Sequence, residues 1–167
     1  LNRFDRDNET FTQFRFSDSL CLDIELNQIS AITQDRVGAL WLATNKGGVI
    51  RFVPGRNGQK GSSYTCINCN ARENLRFTGD IHADDKFIWV AVKAGLLRIG
   101  QENLQQTLFP VYTKHPEAIA LESDSSITSI YEANDGHLWL GNTSGLNYFN
   151  KLTGKYVHYP HHYAVFR

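Results

Sequence analysis

The chain has 167 residues, 41% of them hydrophobic, 12% aromatic and 20% charged, and its 17 basic and 17 acidic side chains give a formal net charge of zero. That size and composition fit one folded unit, and a neutral chain lacks the basic excess with which proteins bind nucleic acid or anionic membranes. No apolar run approaches the ~18 residues of a membrane span, so any membrane connection is expected outside this stretch. The chain opens on Leu1 and contains no methionine, and we read it as a piece of a longer polypeptide.

The first segment, LNRFDRDNETFTQF, aligns without gaps on LNYFNKLTGKYVHY from Leu146, which sets Leu1, Phe4, Phe11 and Phe14 on Leu146, Phe149, Tyr156 and Tyr159. Residues 1–16 therefore read as the second half of a unit whose fuller copies follow. After a polar junction, Asp18–Asn27, comes ISAITQDRVGALWLATNKGGVIRFV. There Ile29 and Ile32 lead through a polar turn to Gly38, then to Leu40-Trp41-Leu42, then to a glycine and an apolar–aromatic strand. An aromatic-bearing fourth strand completes this unit, 29–75, and SYTCINCN inside it reads as a strand running out into a loop. Residues 77–112 hold a worn copy, FTGDIHADDKFIWVAVKAGLLRI, with Ile81 as the second isoleucine and no turn glycine. A junction at Lys114–Ser125 precedes the last unit, 127–159, which reads ITSIYEANDGHLWLGNTSGLNYFN and ends in KYVHY; Asn134–Gly136 signals a tight hairpin. Trp41, Trp89 and Trp139, the three tryptophans of the chain, stand 48 and 50 residues apart.

A repeat of this length sets the fold question. Each unit predicts four short strands, and connections this short hold no crossover helix, so neighbouring strands must be antiparallel. ALWLA and FIWVAV are apolar on both faces, so their sheets must be covered on both sides. A parallel β-helix needs a shorter period, and helical repeats need longer amphipathic stretches than NLQQTLF. The fold class that remains is all-β: a β-propeller fragment of about three and a half four-stranded antiparallel blades. In it each tryptophan is expected to fill the gap between adjacent blades, removing ~150–250 Å² from water. Such a fragment leaves the ring open, so we expect either an open arc or an oligomer that caps it.

These residues resemble the two-component regulator propeller repeat, with its pattern I-x-x-I-x-x-D-x-x-G-x-L-W-[IL]-[GA]-T-x-x-G-[GL]-[IL]-x-[RY]-[FY]. The first full unit carries Asp35, Gly38, Leu40, Trp41, Thr44, Gly47 and Gly48 in place. The last unit departs where Asn142 interrupts the Gly-Thr step, and the worn unit keeps mainly Ile81, Trp89, Gly95 and Leu96. The resemblance implies the ligand-sensing part of a receptor on the periplasmic or extracellular side of a bacterial inner membrane. It further implies an output module elsewhere, a sensor histidine kinase or a diguanylate cyclase, and a small extracellular ligand, breakdown products of polysaccharides being prominent in the family.

Catalytic patterns are missing from the sequence: it has no Gly-x-Ser-x-Gly elbow, no phosphate loop and no His-Glu-x-x-His. We expect no catalytic residue, no cofactor and no metal. Asp84 and Asp85 read as a solvated turn. Cys66 and Cys69 lack a second pair of zinc ligands at a suitable distance, Cys21 stands alone, and His158, His161 and His162 read as a polar tail. Recognition is the stronger class, because propeller ligands bind where loops gather at one end of the axis. The loops joining second to third strands supply Asn45, Lys46, Lys93, Asn142 and Thr143 as candidate ligand-binding residues, donors suited to sugar hydroxyls or an acidic sugar. The junctions Asp18–Asn27, Arg72–Arg76 and Lys114–Ser125 share that end, and Tyr64, Phe77, Tyr112 and Tyr163 lie near it as stacking candidates. Partners are then a small extracellular ligand, a carbohydrate among the candidates, and further blades from the same chain or a homo-oligomer. The alternative is a scaffold or protein-interaction propeller without a small-molecule site, which a broad exposed apolar patch would favour.

Overall fold

The computed structural model describes residues 1–17, 26–46, 48–55, 58–67, 75–110, 126–142 and 144–160. Its regular elements are strands. β1 (Asn2–Asp5) and β2 (Thr10–Gln13) form a two-stranded hairpin. Three four-stranded sheets follow: β3 (Ile29–Gln34), β4 (Leu40–Thr44), β5 (Val49–Gly55) and β6 (Gly58–Ile67); β7 (Phe77–Ala83), β8 (Phe87–Val92), β9 (Gly95–Gly100) and β10 (Gln106–Pro110); β11 (Ser129–Glu132), β12 (Leu138–Asn142), β13 (Gly145–Asn150) and β14 (Lys155–Pro160). Within each sheet the strands pair antiparallel in chain order. The all-β reading and the meander expected from the short turns are both observed. Gly38 and Gly136 take φ of +88° and +78° in the turns between first and second strands, a region open to glycine at little cost.

The sheets stack face to face through three hydrophobic seams. Between hairpin and first sheet lie Phe14, Phe16 and Leu26 with Leu42, Ile50 and Phe52. Between first and second sheets lie Trp41, Ala43 and Val49 with Ile81, Ile88, Val90 and Val92. Between second and third lie Trp89, Ala91 and Leu96 with Ile130, Leu138, Leu140 and Phe149. Successive side chains of a strand point to opposite faces. Trp41 and Ala43 therefore face the following sheet while Leu40 and Leu42 face the preceding one, and β8 repeats this with Trp89 and Ala91 against Ile88, Val90 and Val92. That is why these strands are apolar on both sides.

The first strands of the sheets run closest together. β7 lies against β3 and β4 on one side and β11 on the other. A Cβ on Gly79 would meet the Thr128 backbone at 2.3 Å, so only glycine lets β7 and β11 approach this far. Beside it, Asp80 accepts the Ile130 backbone N–H through Oδ2 at 3.0 Å and bonds the Ile81 N–H through Oδ1 at 2.8 Å. A carboxylate thus ties a backbone donor of one sheet to the strand of another.

The three tryptophans do not share one environment. Trp41 and Trp89 are buried, but Trp139 is only half-buried. Its row across the sheet, Tyr131–Trp139–Tyr148–Val157, faces the side on which no further described sheet lies. The expectation that all three fill gaps between blades holds for two of them. The third has the same wedge position with no described sheet against it.

Candidate functional site

Antiparallel order sorts the turns into two ends. The turns joining second to third strands share one end with the connections between sheets, and the turns joining first to second and third to fourth strands share the other. At the first end, backbone bonds tie the start of each sheet to its own turn: Asn45 N–H donates to Gln28 O at 3.1 Å, Lys93 N–H to Arg76 O at 2.8 Å, and Thr128 N–H to Gly141 O at 2.8 Å. Asn45 and Lys93 sit on these clamps, with Lys46 and Asn142 next to them in the chain.

Asn45 is exposed and its Nδ2 reaches Gln28 Oε1 at 3.5 Å. Lys46 and Lys93 are exposed at the corresponding turns of the first and second sheets. Asn142 differs. Its Oδ1 accepts both Ser144 N–H at 3.1 Å and Ser144 Oγ–H at 2.9 Å, and its Nδ2 is buried without a hydrogen-bond partner. At the corresponding position of the first sheet, Thr44 Oγ1 bonds both Gly48 N and Gly48 O at 3.0 Å and leaves nothing over. Thr143 lies outside the described residues, as do Tyr112, Tyr163, Cys21, Cys69, His161 and His162.

A second unpaired amide stands on the same face of the third sheet. Asn147 is buried; its Oδ1 is bonded to His158 Nδ1 at 2.9 Å, while its Nδ2 is without a partner. The corresponding positions in the other sheets are the buried Ile50 and Leu97. A buried donor left unpaired is costly, so an amide in place of an aliphatic side chain is the kind of exception that a bound polar molecule explains.

Two of the aromatic stacking candidates are absorbed by packing. Tyr64 bonds the Ser17 backbone through its hydroxyl and lies edge-on to Phe16 at 5.1 Å. Phe77 packs on the seam between first and second sheets.

The opposite end holds an ionic cluster. Lys151 Nζ donates to Asp84 Oδ2 at 2.8 Å and to Glu132 Oε1 at 2.6 Å, and His82 Nε2 lies 2.9 Å from Glu132 Oε2. Asp84 also accepts Trp89 Nε1–H at 2.7 Å and the backbone N–H groups of Lys86 and Phe87. Burial pushes the Asp84 carboxyl up, but these donors, Lys151 and Trp89 foremost, outweigh it and hold it below the usual value. Glu132 behaves alike: burial raises it, and Lys151 with His82 bring it down. For Lys151, burial lowers the ammonium and the two carboxylates raise it further. The solvated-turn reading of Asp84 is thereby corrected, whereas Asp85 is exposed and pairs with Arg36 of the first sheet. Asp35 plays the Asp84 part in the first sheet, accepting Trp41 Nε1–H at 2.9 Å and the Ala39 N–H at 2.8 Å. A buried indole with its N–H satisfied packs without a polar penalty.

The sequence carried one signal for this cluster: an aspartate ahead of each of the first two tryptophans, six residues before Trp41 and five before Trp89. Nothing local announced Lys151, which reaches Asp84 across 67 residues.

The family described as "Two component regulator propeller" matches residues 23–46 and 121–144. Two stretches of the chain thus resemble that repeat. Each matched stretch holds a sheet's first two strands, with Trp41 in one and Trp139 in the other, and the junction leading into them. Solved structures similar to this propeller segment are named as extracellular domains from B. thetaiotaomicron. That of the hybrid two-component system BT3049 is 23% identical with a TM-score of 0.53, covering 80% of this chain and 18% of the other. Two structures of BT4673, named as a one-component system in one and a hybrid two-component system in the other, give 20% and 15% identity and TM-scores of 0.68 and 0.69. They cover 97% and 96% of this chain, which spans 22% and 20% of theirs. Comparison with curated protein sequences returns no match. At these identities the likeness is one of fold.

Proposed function

We propose that the chain is the ligand-sensing part of the extracytoplasmic β-propeller of a bacterial signal-transduction receptor and has no catalytic role of its own. The observation that carries this reading is the pair of regulator-propeller repeats in a fold shared with extracellular domains named as parts of two-component systems. The ligand is small and polar, with a carbohydrate as the first class to test, and it binds at the end formed by Asn45, Lys46, Lys93, Asn142 and Thr143. The buried, unpartnered Nδ2 of Asn142 supports that end, since a hydroxyl or carboxylate oxygen would satisfy it. Binding across turns of adjacent sheets would change how the blades sit against one another, and the conformational signal would pass to a membrane-coupled histidine kinase or diguanylate cyclase.

The test is a thermal-shift and calorimetric screen of the chain against neutral and acidic mono- and oligosaccharides, repeated on Lys46→Ala/Lys93→Ala and on Asn142→Ala. A ligand whose binding is lost in these variants, at unchanged melting temperature, supports the reading; one that binds all of them equally removes these residues from the site.

A scaffold or protein-interaction role is the second reading. It is favoured by the exposed apolar face of the third sheet, where Tyr131 is 67% and Val157 52% exposed.

A further inference from the structure

The third sheet breaks a pattern that the first two keep. On the face that each sheet turns to the one before it, one cross-strand row holds Leu42, Ile50 and Cys66 in the first sheet and Val90, Leu97 and Leu108 in the second. The third sheet has Leu140, Asn147 and His158 in that row. One step nearer the turn, Asn142 stands where the others have Thr44 and Val92. Two amides and an imidazole have thus entered one place in the seam between second and third sheets.

Both amides have occupied oxygens and unused nitrogens. Asn142 Oδ1 accepts the Ser144 N–H, and because a backbone N–H can only donate, the orientation of that amide is fixed. Asn147 Oδ1 is held by His158 Nδ1 at 2.9 Å, in the tautomer that carries its proton there. The Nδ2 of each is buried without a hydrogen-bond partner among the described residues, and Asn147 is only 2% exposed. Asn142 pairs with Gly145, two residues before Asn147. The asparagines are therefore diagonal neighbours, roughly 7–8 Å apart at Cα, and the glycine puts no side chain between them. From the second sheet this seam receives Ala91 and Leu96, whose side chains have no polar atom. Its described carboxylates are engaged elsewhere, Asp80 by the Ile81 and Ile130 N–H groups, Asp84 and Glu132 by Lys151 at the opposite end.

We propose that Asn142 and Asn147 form a pocket for one carboxylate group, carried by a sugar acid or by a simple organic acid. Two donors with both amide oxygens already taken suit a group that only accepts. A hydroxyl would bring a proton for which neither amide has a free oxygen, and an N–H bond to an ionised oxygen is the stronger of the two. Asn142 is half-buried and His158 exposed, so the group enters from the turn end. For its purpose the pocket rests on the sensing role proposed above, as the place that takes the acidic group of the sensed ligand.

The side-chain amide resonances of Asn142 and Asn147, assigned through the backbone of the isotope-labelled 167-residue chain, test this. Acetate, acetamide, glucuronate and glucose are titrated at constant pH and ionic strength. Acetate and glucuronate should shift both amide pairs saturably, and acetamide and glucose should leave them in place. Saturation at lower glucuronate than acetate concentration identifies a sugar acid as the source, and equal concentrations a simple organic acid. In Asn147→Leu, which copies Leu97, the acetate response at Asn142 should weaken about tenfold or more, the effect of one lost hydrogen bond to a charged group. Equal shifts with glucose and glucuronate overturn the carboxylate assignment, and amide pairs that no probe moves overturn the pocket. If glucuronate moves the backbone resonances of Lys46 and Lys93 but neither side-chain amide, the pocket is wrong and the sensing role stands. If acetate moves both amides while no sugar binds anywhere, the pocket stands and carbohydrate sensing fails.

Discussion

Truncating the same residue at two points of the repeat separates burial from position. Trp41→Ala removes a side chain that is wholly buried in the seam with Ile81, Ile88 and Val90. At about 25 cal/mol per Å², the ~150–200 Å² withdrawn from water by an indole amounts to ~4–5 kcal/mol, in line with the ~3–5 kcal/mol seen for such truncations. Asp35 would lose the Trp41 Nε1–H donor but keep the Val37 and Ala39 N–H groups, so its carboxylate is not left bare. Trp139→Ala removes an indole packed on Tyr148 and Tyr159 and open on its outer face, and should cost about half as much or less, ~1–2 kcal/mol. Urea unfolding at dilute concentration, followed by far-UV circular dichroism, gives both values. Equal losses, or a larger loss at Trp139, would refute the stacking order.

Other substitutions probe single contacts. Gly79→Ala forces a methyl group to within 2.3 Å of the Thr128 backbone, so β7 and β11 must part; urea unfolding should register a loss of ~1–3 kcal/mol, and a neutral outcome would contradict the close approach. Asn147→Leu restores the aliphatic residue found at Ile50 and Leu97 and removes the unpaired Nδ2, so the variant should unfold at higher urea, a gain of ~1 kcal/mol. A loss instead would mean that the amide is satisfied in the native state. Lys151→Met leaves Asp84 and Glu132 without their cation. In the parent both carboxyls titrate below their ordinary 3.8 and 4.5, so their contribution is complete above those values and fades as pH falls through the lowered folded ones. Lys151 titrates above its ordinary 10.5, so its contribution is complete below that value and fades as pH rises past it. The stability difference between parent and variant should therefore be flat from about pH 5 to about pH 10 and shrink on both sides; a difference that persists at about pH 2 would exclude the ion pairs as its source.

Much of the fold was legible because a repeat makes its own comparison. The two-faced apolar pattern of ALWLA and FIWVAV required cover on both sides, and Asn-Asp-Gly marked a turn in which Gly136 does take a positive φ. The environment of Trp139 was not legible, because its pattern matches that of Trp41 and only the order of sheets decides which face is covered. The Asp84–Lys151–Glu132 cluster was hidden for a different reason. Its members come from the turns and strands of two sheets, and a turn aspartate beside another aspartate looks like any solvated loop until the lysine is brought over it. Tyr64 and Phe77 were legible as aromatics near a junction but not as packing residues, since sequence does not give the direction of a ring. The ligand end stands between these cases. Topology places Asn45, Lys46, Lys93 and Asn142 at one end, and the unpaired amide of Asn142 became visible only once Ser144 was seen to occupy its oxygen.

The central claim is that Trp41 and Trp89 are each covered by the sheet that follows in the chain, while Trp139 faces no described sheet. Nuclear Overhauser contacts from the three indole rings to methyl groups test it most directly, recorded on the parent chain at dilute concentration. The Trp41 ring should show contacts to methyls of Ile81, Ile88 or Val90, and the Trp89 ring to those of Ile130, Leu138 or Leu140. The Trp139 ring should show none to the first or second sheet. Contacts from Trp139 to Leu42 or Ile50, or from Trp41 to Leu138 or Leu140, would contradict the order of the sheets and with it the account of the site.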